Sequence, residues 1–359
     1  MSTKERGPRK SSGRGAGRTR TMNLAPVKAT PASALGALPG PPRSPRRHLG
    51  RPRLLIVGCG DIGLRIITIL RDRFRIFGAV RSQTSAVAVR RAGAIPLVLD
   101  LDQAGGIRRI GALARAVIAL APTSPCGRRD ARAPRLLRAL RCARGGRMLY
   151  ISTTGVYGDR RGAWTDETTP PAPANERALR RLDAETRLRA SNWRAAVLRV
   201  PGIYGPDRLP LDRLRDAIPV ALPAQDVVTN HIHADDLARA CIAALYRAAP
   251  ARVYNIADDT QLFLGEYLDR VADRVGLPRP PRAPWDQVRI AAGPQRMLFL
   301  SGSRRLRNDR MKRELRVRLL YPDVDAGLAA ITAPRARQES AQAPHSTNAQ
   351  ASNSPSTDR

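Results

Sequence analysis

Lysine is almost missing from this chain of 359 residues. It stands only at Lys4, Lys10, Lys28 and Lys312, so the 63 basic residues are otherwise arginines. No mechanism that needs a lysine between Lys28 and Lys312 can operate here. Acids are scarce too, 30 of them, which leaves a net charge of +33. The four cysteines, Cys59, Cys126, Cys142 and Cys241, lie far apart with no CxxC pair. That spacing argues against a structural zinc site or a disulfide scaffold, and a reducing, cytoplasmic setting is expected. No apolar run nears the roughly 18 residues of a membrane helix. The longest, such as Leu54–Val57 and Val117–Ala121, have the length of strands, so a soluble chain without a membrane partner is expected.

What is present suffices for a core, since 42% of residues are apolar. The arginine excess reads mainly as a compositional bias, because nucleic-acid surfaces ordinarily use lysine as well. Residues 1–50 are a separate matter: eleven Lys/Arg and one acid, Glu5, stand among many Gly, Pro and Ser. Such a composition cannot bury a core, and a disordered basic tail is expected. Binding of nucleic acid or another polyanion through this tail is possible but not favoured. An organellar transit segment is the third reading, opposed by the Pro and Gly content. Residues 334–359, rich in Ser, Ala, Gln and Asn, read as a second disordered tail. The folded part is expected over 51–333.

Within it, short apolar runs alternate with helical patterns, as in a parallel sheet covered by helices. Strands are expected near Leu54–Val57, Ile76–Val80, Ile95–Leu99, Ala116–Ala121, Met148–Ser152, Ala196–Arg199, Val227–His231 and Val253–Ile256. Helices fall at Ile62–Arg73, Ser85–Ala92, Ala131–Ala143, Glu176–Ala190 and Asp235–Ala248, and the sequence after about Ala257 is largely helical in pattern. The fold class is α/β, a Rossmann-type doubly wound parallel sheet with a smaller, mostly helical C-terminal substrate region. The core is expected over 51–203 and 226–257, and the substrate region over 204–225 and 258–333.

The first strand runs into Gly58-Cys59-Gly60-Asp61-Ile62-Gly63, a GxGxxG that opens a helix. Glycines there permit a tight turn and close backbone approach, and helix N-terminal amides then face a pyrophosphate. At the tip of the second strand, where Asp or Glu holds the ribose of NAD, the chain has Arg81-Ser82. An arginine and a hydroxyl suit a 2′-phosphate, so NADP(H) is expected over NAD(H). Asp100-Leu101, after the third strand, would meet the adenine side or serve as a turn cap. Cys59 reads as a small residue of the nucleotide loop, with a stabilised thiolate as the lesser alternative.

Further motifs follow in order: Tyr150-Ile151-Ser152-Thr153-Thr154-Gly155-Val156-Tyr157-Gly158, then Leu198-Arg199-Val200-Pro201-Gly202-Ile203-Tyr204-Gly205-Pro206, His231-Ile232-His233-Ala234-Asp235-Asp236 and Tyr254-Asn255-Ile256-Ala257. Together they resemble the extended, atypical short-chain dehydrogenase/reductases of the NAD-dependent epimerase/dehydratase family, most similarly the YeeZ-like branch, over roughly 53–330. The resemblance implies a Rossmann domain, a cleft against a substrate region, and oxidoreductase or epimerase-like chemistry on a small molecule not identified by the motifs. It places the substrate-orienting hydroxyl at Thr153. The family's acid/base pair is YxxxK, with a Glu four residues past the lysine. Setting Glu185 as that glutamate puts Arg181 at the lysine and Arg177 at the tyrosine. Arg181 keeps a positive charge for the ribose, but an arginine at 177 is a poor proton carrier. Tyr157 and Tyr204 are the substitutes in topological reach, both at structural positions of the motifs. Thr154-Gly155 stands where dehydratases have Asp-Glu, so a sugar dehydratase is not expected. A catalytically silent nucleotide-binding module is the alternative function. His231, His233 and Asp235 are possible ligands by type, yet the resemblance reads them as a strand-to-helix junction capped by Asp235 or Asp236, and no metal is expected.

Overall fold

The computed structural model describes residues 50–331 except 104–106, 108–109, 142–144 and 301, and not the side chains of 294–296 and 298–300. The expected tails up to residue 49 and over 334–359, like Cys142, lie outside the described residues.

Seven strands build the central sheet: β1 Arg53–Val57, β2 Arg75–Val80, β3 Ile95–Val98, β4 Ala116–Ala119, β5 Arg147–Thr153, β6 Arg194–Val200 and β7 Val253–Asn255. Their order is β7-β6-β5-β4-β1-β2-β3, and every pair is parallel. The unbroken apolar run of β1 explains why. Leu54 and Ile56 face one core, Leu55 and Val57 the other, so the strand is buried on both faces and needs helices on both. Helices α1 Asp61–Leu70 and α2 Gln83–Arg91 follow β1 and β2. Helix α3 Arg132–Ala139 precedes β5, α4 Glu176–Arg189 follows it, and α5 Ala234–Arg247 precedes β7. Helices α1 and α5 share one face, with Leu237, Ala238 and Cys241 packed among Ile66, Ile67 and Leu54, and an Arg65–Asp235 ion pair joins them. Leu136 of α3 and Leu188 of α4 close the opposite face. The winding reverses between β1 and β4, which opens a crevice at their carboxyl ends.

One expected strand is corrected. Val227–His231 does not join the central sheet: Val228–Thr229 pairs antiparallel with Leu262–Phe263, while His231–His233 pairs in parallel with Gly202–Tyr204. Asn230 is the cause of the split. Its side chain donates to the Arg304 carbonyl at 2.9 Å and accepts from the Leu306 amide at 2.9 Å, pinning the chain to a distant segment between the two pairings. The part beyond β7 is largely helical as expected, with α6 Leu264–Val275 and shorter helices at Asp309–Glu314 and Val324–Ala329. Tyr204, Tyr267, Leu268, Val271 and Leu328 form its own core.

Candidate active-site cleft

The glycine loop after β1 is wedged between the carboxyl ends of β2 and β4. The amides of Gly58 and Cys59 both donate to the Ala79 carbonyl, at 3.0 and 2.9 Å. Gly58 has φ +80°, and a Cβ there would stand 2.5 Å from the backbone of Ala121 beyond β4. Only glycine meets both demands. At Gly60 the reverse holds: among the described residues nothing lies within 4 Å of where a Cβ would be, so the backbone is open to approach. Gly60 is also the N-cap of α1, and no side chain caps that helix. Its first amides are therefore available to an anion. Ile62 and Cys59 are buried beneath the loop, and the Cys59 sulfur would lie 2.8 Å from a Cβ at Gly63. Burial pushes the Cys59 thiol up to about 12, so it packs and does not react.

Asp61 stands in the first turn of α1, where a bare carboxylate would repel a pyrophosphate. It is paired with Arg65 at 2.9 Å and with Arg208 at 2.7 Å. Partial burial opposes ionisation there, but the hydrogen bonds from Arg208 and Arg65 outweigh it and hold Asp61 below the usual carboxylate range. Arg81 is exposed directly after β2. The Ser82 hydroxyl accepts from the Ser85 amide at 3.1 Å and caps α2. Asp100 holds a turn, accepting from the Asp102 amide at 2.9 Å, while the Leu101 side chain is buried in the α3/α4 core. Asp102, which sequence reasoning passed over, is clamped by Arg132 at 2.6 Å and Arg135 at 3.2 Å.

At the end of β5, Thr153 Oγ1 accepts from the Gly155 amide at 3.2 Å and starts a tight turn over Thr154–Tyr157. Beneath it lies a buried polar frame. Glu185 of α4 pairs with Arg199 of β6 at 2.7 Å and hydrogen-bonds Ser152. The Arg199 guanidinium sits 4.6 Å from the Tyr157 ring, and the Tyr157 hydroxyl donates to Asn255 Oδ1 at 2.8 Å. Tyr157 is fully buried and absent from the cleft lining, which fits the structural position its motif implied and not the lesser alternative of a proton donor. Tyr204 is likewise buried and donates to the Asp323 carbonyl at 3.1 Å. Both phenols serve packing, because their hydroxyls are the polar ends of buried rings and must be bonded inside.

Arg181 and Arg177 lie one turn apart on α4 and line one cleft of about 590 Å³ with Thr153. Arg181 Nη1 donates to the Ile151 carbonyl at 2.6 Å and to the Tyr150 hydroxyl at 3.1 Å, which fixes its charge across the end of β5. The protein around Arg177, with Arg181 and Arg180 beside it, pushes its pKa down from the usual arginine value. Arg208 belongs to the same lining and reaches the nucleotide loop through Asp61. Arg208, Tyr267 and Arg304 were not foreseen. Tyr267 stacks on His231 with ring centres 3.9 Å apart, and Arg304 enters from the far end of the chain. No local pattern marks Tyr267 or Arg304, since their neighbours come from other elements. His231, named above only as a ligand by type, also lines the cleft: burial pushes its pKa down to about 3, so the ring is neutral, and its Nε2 lies 3.0 Å from Thr229 Oγ1.

The junction before α5 differs from expectation. His233 is the cap, accepting from the Asp235 amide at 3.2 Å, because Asp235 is drawn to Arg65 and Asp236 accepts from the amides of Leu320 and Tyr321 at 2.8 and 2.9 Å. Among the described residues no group of three His, Cys, Asp or Glu is placed to hold a metal ion, and no helix is long and apolar enough to cross a membrane.

Comparison with known proteins agrees with this geometry. The model of the NAD dependent epimerase/dehydratase family matches residues 131–257. A conserved protein of unknown function from Silicibacter pomeroyi DSS is 32% identical, over 78% of this chain and 98% of its own, with a TM-score of 0.68. The UDP-glucose 4-epimerase of Thermotoga maritima, solved with UDP-glucose, is 19% identical over 77% of this chain and 96% of its own, with a TM-score of 0.63. That of Thermus thermophilus, a complex with NAD, is 22% identical over 77% and 96%, with a TM-score of 0.61. No curated protein matches the chain.

Proposed function

As a member of the NAD-dependent epimerase/dehydratase family, the chain has a nucleotide crevice and a substrate cleft to account for, and we propose that it is an NADP(H)-binding, oxidoreductase- or epimerase-like enzyme. The observation that carries the reading is the start of α1: a glycine N-cap without a side-chain cap, with the first-turn carboxylate of Asp61 paired with two arginines. Gly58 would shape the turn, the open backbone at Gly60 and the first amides of α1 up to Gly63 would hold the pyrophosphate, and Arg81 the 2′-phosphate of the ribose. Cys59 and Ile62 support the loop from below, and Asp100 borders the adenine side. The nicotinamide, when bound, supplies exchange of a hydride with a carbon of the substrate.

The chain's own residues then have distinct tasks. Thr153 keeps a hydroxyl proton to offer to a substrate oxygen while its lone pair holds the Gly155 amide. Arg181 provides a fixed positive charge at the strand end, in the place where relatives have lysine. The Glu185–Arg199 pair holds α4 against β5 and β6, and so sets where both act. Arg177 remains protonated and binds anions instead of moving protons. Titration of the protein with NADPH and NADH, followed by nucleotide fluorescence and thermal shift, tests the reading. Tighter binding of NADPH is expected; binding of neither nucleotide refutes it.

The arginines at 177 and 181 favour a second reading, a catalytically silent nucleotide-binding module. Turnover of NADPH with any member of a carbonyl library, abolished in Thr153→Ala, would exclude it.

A further inference from the structure

The cleft lining holds Arg177, Arg181, Arg208 and Arg304 and, among the described residues, no aspartate or glutamate. Arg208 is balanced by Asp61. Arg181 and Arg304 are not balanced in this way. Arg181 is 8% exposed and satisfies its Nη1 with neutral partners, the Ile151 carbonyl, the Tyr150 hydroxyl and, at 3.5 Å, the Ala121 carbonyl. Arg304 Nη1 donates to the carbonyls of Gly158 at 2.9 Å and Gly302 at 3.4 Å, and its Nη2 reaches Thr154 Oγ1 at 3.5 Å. In both residues Nε is buried without a hydrogen-bond partner, and neither guanidinium forms an ion pair with a carboxylate among the described residues; the Asp159 carboxylate acts on Arg304 only from beyond ion-pair distance.

A cation withdrawn from water without a counter-ion is costly, and a hydrogen-bonding atom buried with nothing to bond adds to the cost. Two such groups in one cleft are accounted for if a bound anion completes them. Their position says which part of a ligand that anion must be. The Ile151 carbonyl and the Thr154 hydroxyl lie on either side of Thr153 along the chain, so the two guanidiniums bracket the residue that faces the reacting oxygen. In a nucleoside-diphosphate sugar with a neutral ring, such as UDP-glucose, the negative charge sits on the diphosphate, away from C4. Here the positive charge stands at the reacting end itself.

Resting on the reading of Thr153 as the substrate-orienting group, we propose that the substrate carries a compact oxyanion, a carboxylate or a phosphate, next to the carbon that is oxidised or reduced. Arg181 and Arg304 hold this group from two sides, and Arg177 adds charge on the same lining. Planar guanidinium forks suit both oxyanions, each able to take paired hydrogen bonds.

Isothermal titration of the full chain at physiological salt with inorganic phosphate, malate, UDP-glucose and glucose tests this. Wild type, Arg304→Gln and Arg177→Gln are compared, each checked for folding by its thermal melt and titrated with NADPH in parallel. Saturable one-site binding of phosphate or malate is expected, weakened about ten- to a hundredfold in Arg304→Gln, the loss of one charge-assisted contact, and less in Arg177→Gln. Phosphate in preference to malate identifies a phosphate ester, and the reverse a carboxylic acid. If Arg304→Gln does not fold, Arg177→Gln carries the comparison. The proposal falls if neither anion binds saturably, if both variants bind them as wild type does, or if only UDP-glucose binds. NADPH separates the two readings: nucleotide binding without an anion site strikes this proposal alone, and an anion site without nucleotide binding strikes the cofactor assignment alone.

Discussion

The two ends of the cleft are built on different terms. At the nucleotide end, the residues that matter are consecutive, from Gly58 to Gly63, and their contacts are with backbone that the sheet supplies wherever a parallel strand ends. At the substrate end, Thr153, Arg181 and Arg304 come from a strand, a helix and a segment about 150 residues later, and their geometry depends on a buried frame of Ser152, Glu185 and Arg199. The contrast teaches that a binding loop can be preserved by local rules while the chemistry beside it is rebuilt. The family resemblance implies a tyrosine and a lysine on α4; in that register this chain has Glu185 in its buried frame and arginines at 177 and 181.

If the substrate end stands on its buried frame, Glu185→Ala should have the largest effect. It leaves Arg199 charged and unpaired in the interior, and a loss of about 3–5 kcal/mol is expected in denaturant unfolding; a loss below about 1 kcal/mol would show that the frame is not what holds α4. The matching change at the nucleotide end, Gly58→Ala, forces a side chain into a left-handed backbone against Ala121, and should cost about 2–3 kcal/mol together with nucleotide binding. Arg81→Asp is expected to weaken NADPH about tenfold or more and leave NADH equal or better; unchanged selectivity would place the 2′-phosphate elsewhere. Arg208→Ala joins the two ends, since it strips Asp61 of one partner beside the pyrophosphate. Because that pair is half-exposed, a change of about 1 kcal/mol or less in stability is expected, with nucleotide affinity reduced severalfold.

A pH-dependent effect concerns Asp258, behind the substrate end. It is buried, its Oδ2 has no hydrogen-bond partner, and burial pushes its pKa up from 3.8 to about 8. The folded chain thus keeps the proton to about pH 8, while the unfolded chain releases it near pH 4. Its contribution to stability is full below pH 4 and is lost as pH rises towards 8. Asp258→Asn should therefore raise the melting temperature relative to wild type more at pH 8 than at pH 5. A difference independent of pH would mean that the carboxyl is already charged in the folded protein.

Much of the fold was legible because apolar runs without alternation have few places to go except a parallel sheet covered on both faces. Leu54–Val57, Ile76–Val80 and Met148–Ser152 fall within strands of that sheet. Val227–His231 was misplaced because the same pattern serves a strand above the sheet, and only Asn230, bonded to residues 304 and 306, decides between them. Tyr157 was left open as a lesser alternative for a related reason. Its spacing from Thr153 is set by the chain, but the direction of its ring is set by Arg199 and Asn255.

The sequence by itself determined the order of strands and helices, the glycine loop and the absence of a Tyr–Lys pair, because each depends on residue type at short spacing. The tertiary structure decided which charges meet. It matched Asp61 with Arg208, sealed Glu185 with Arg199, and left Arg181 and Arg304 in one cleft whose lining, among the described residues, has no carboxylate. Electrostatic balance is a property of distance and burial, and a linear chain specifies neither until it has folded.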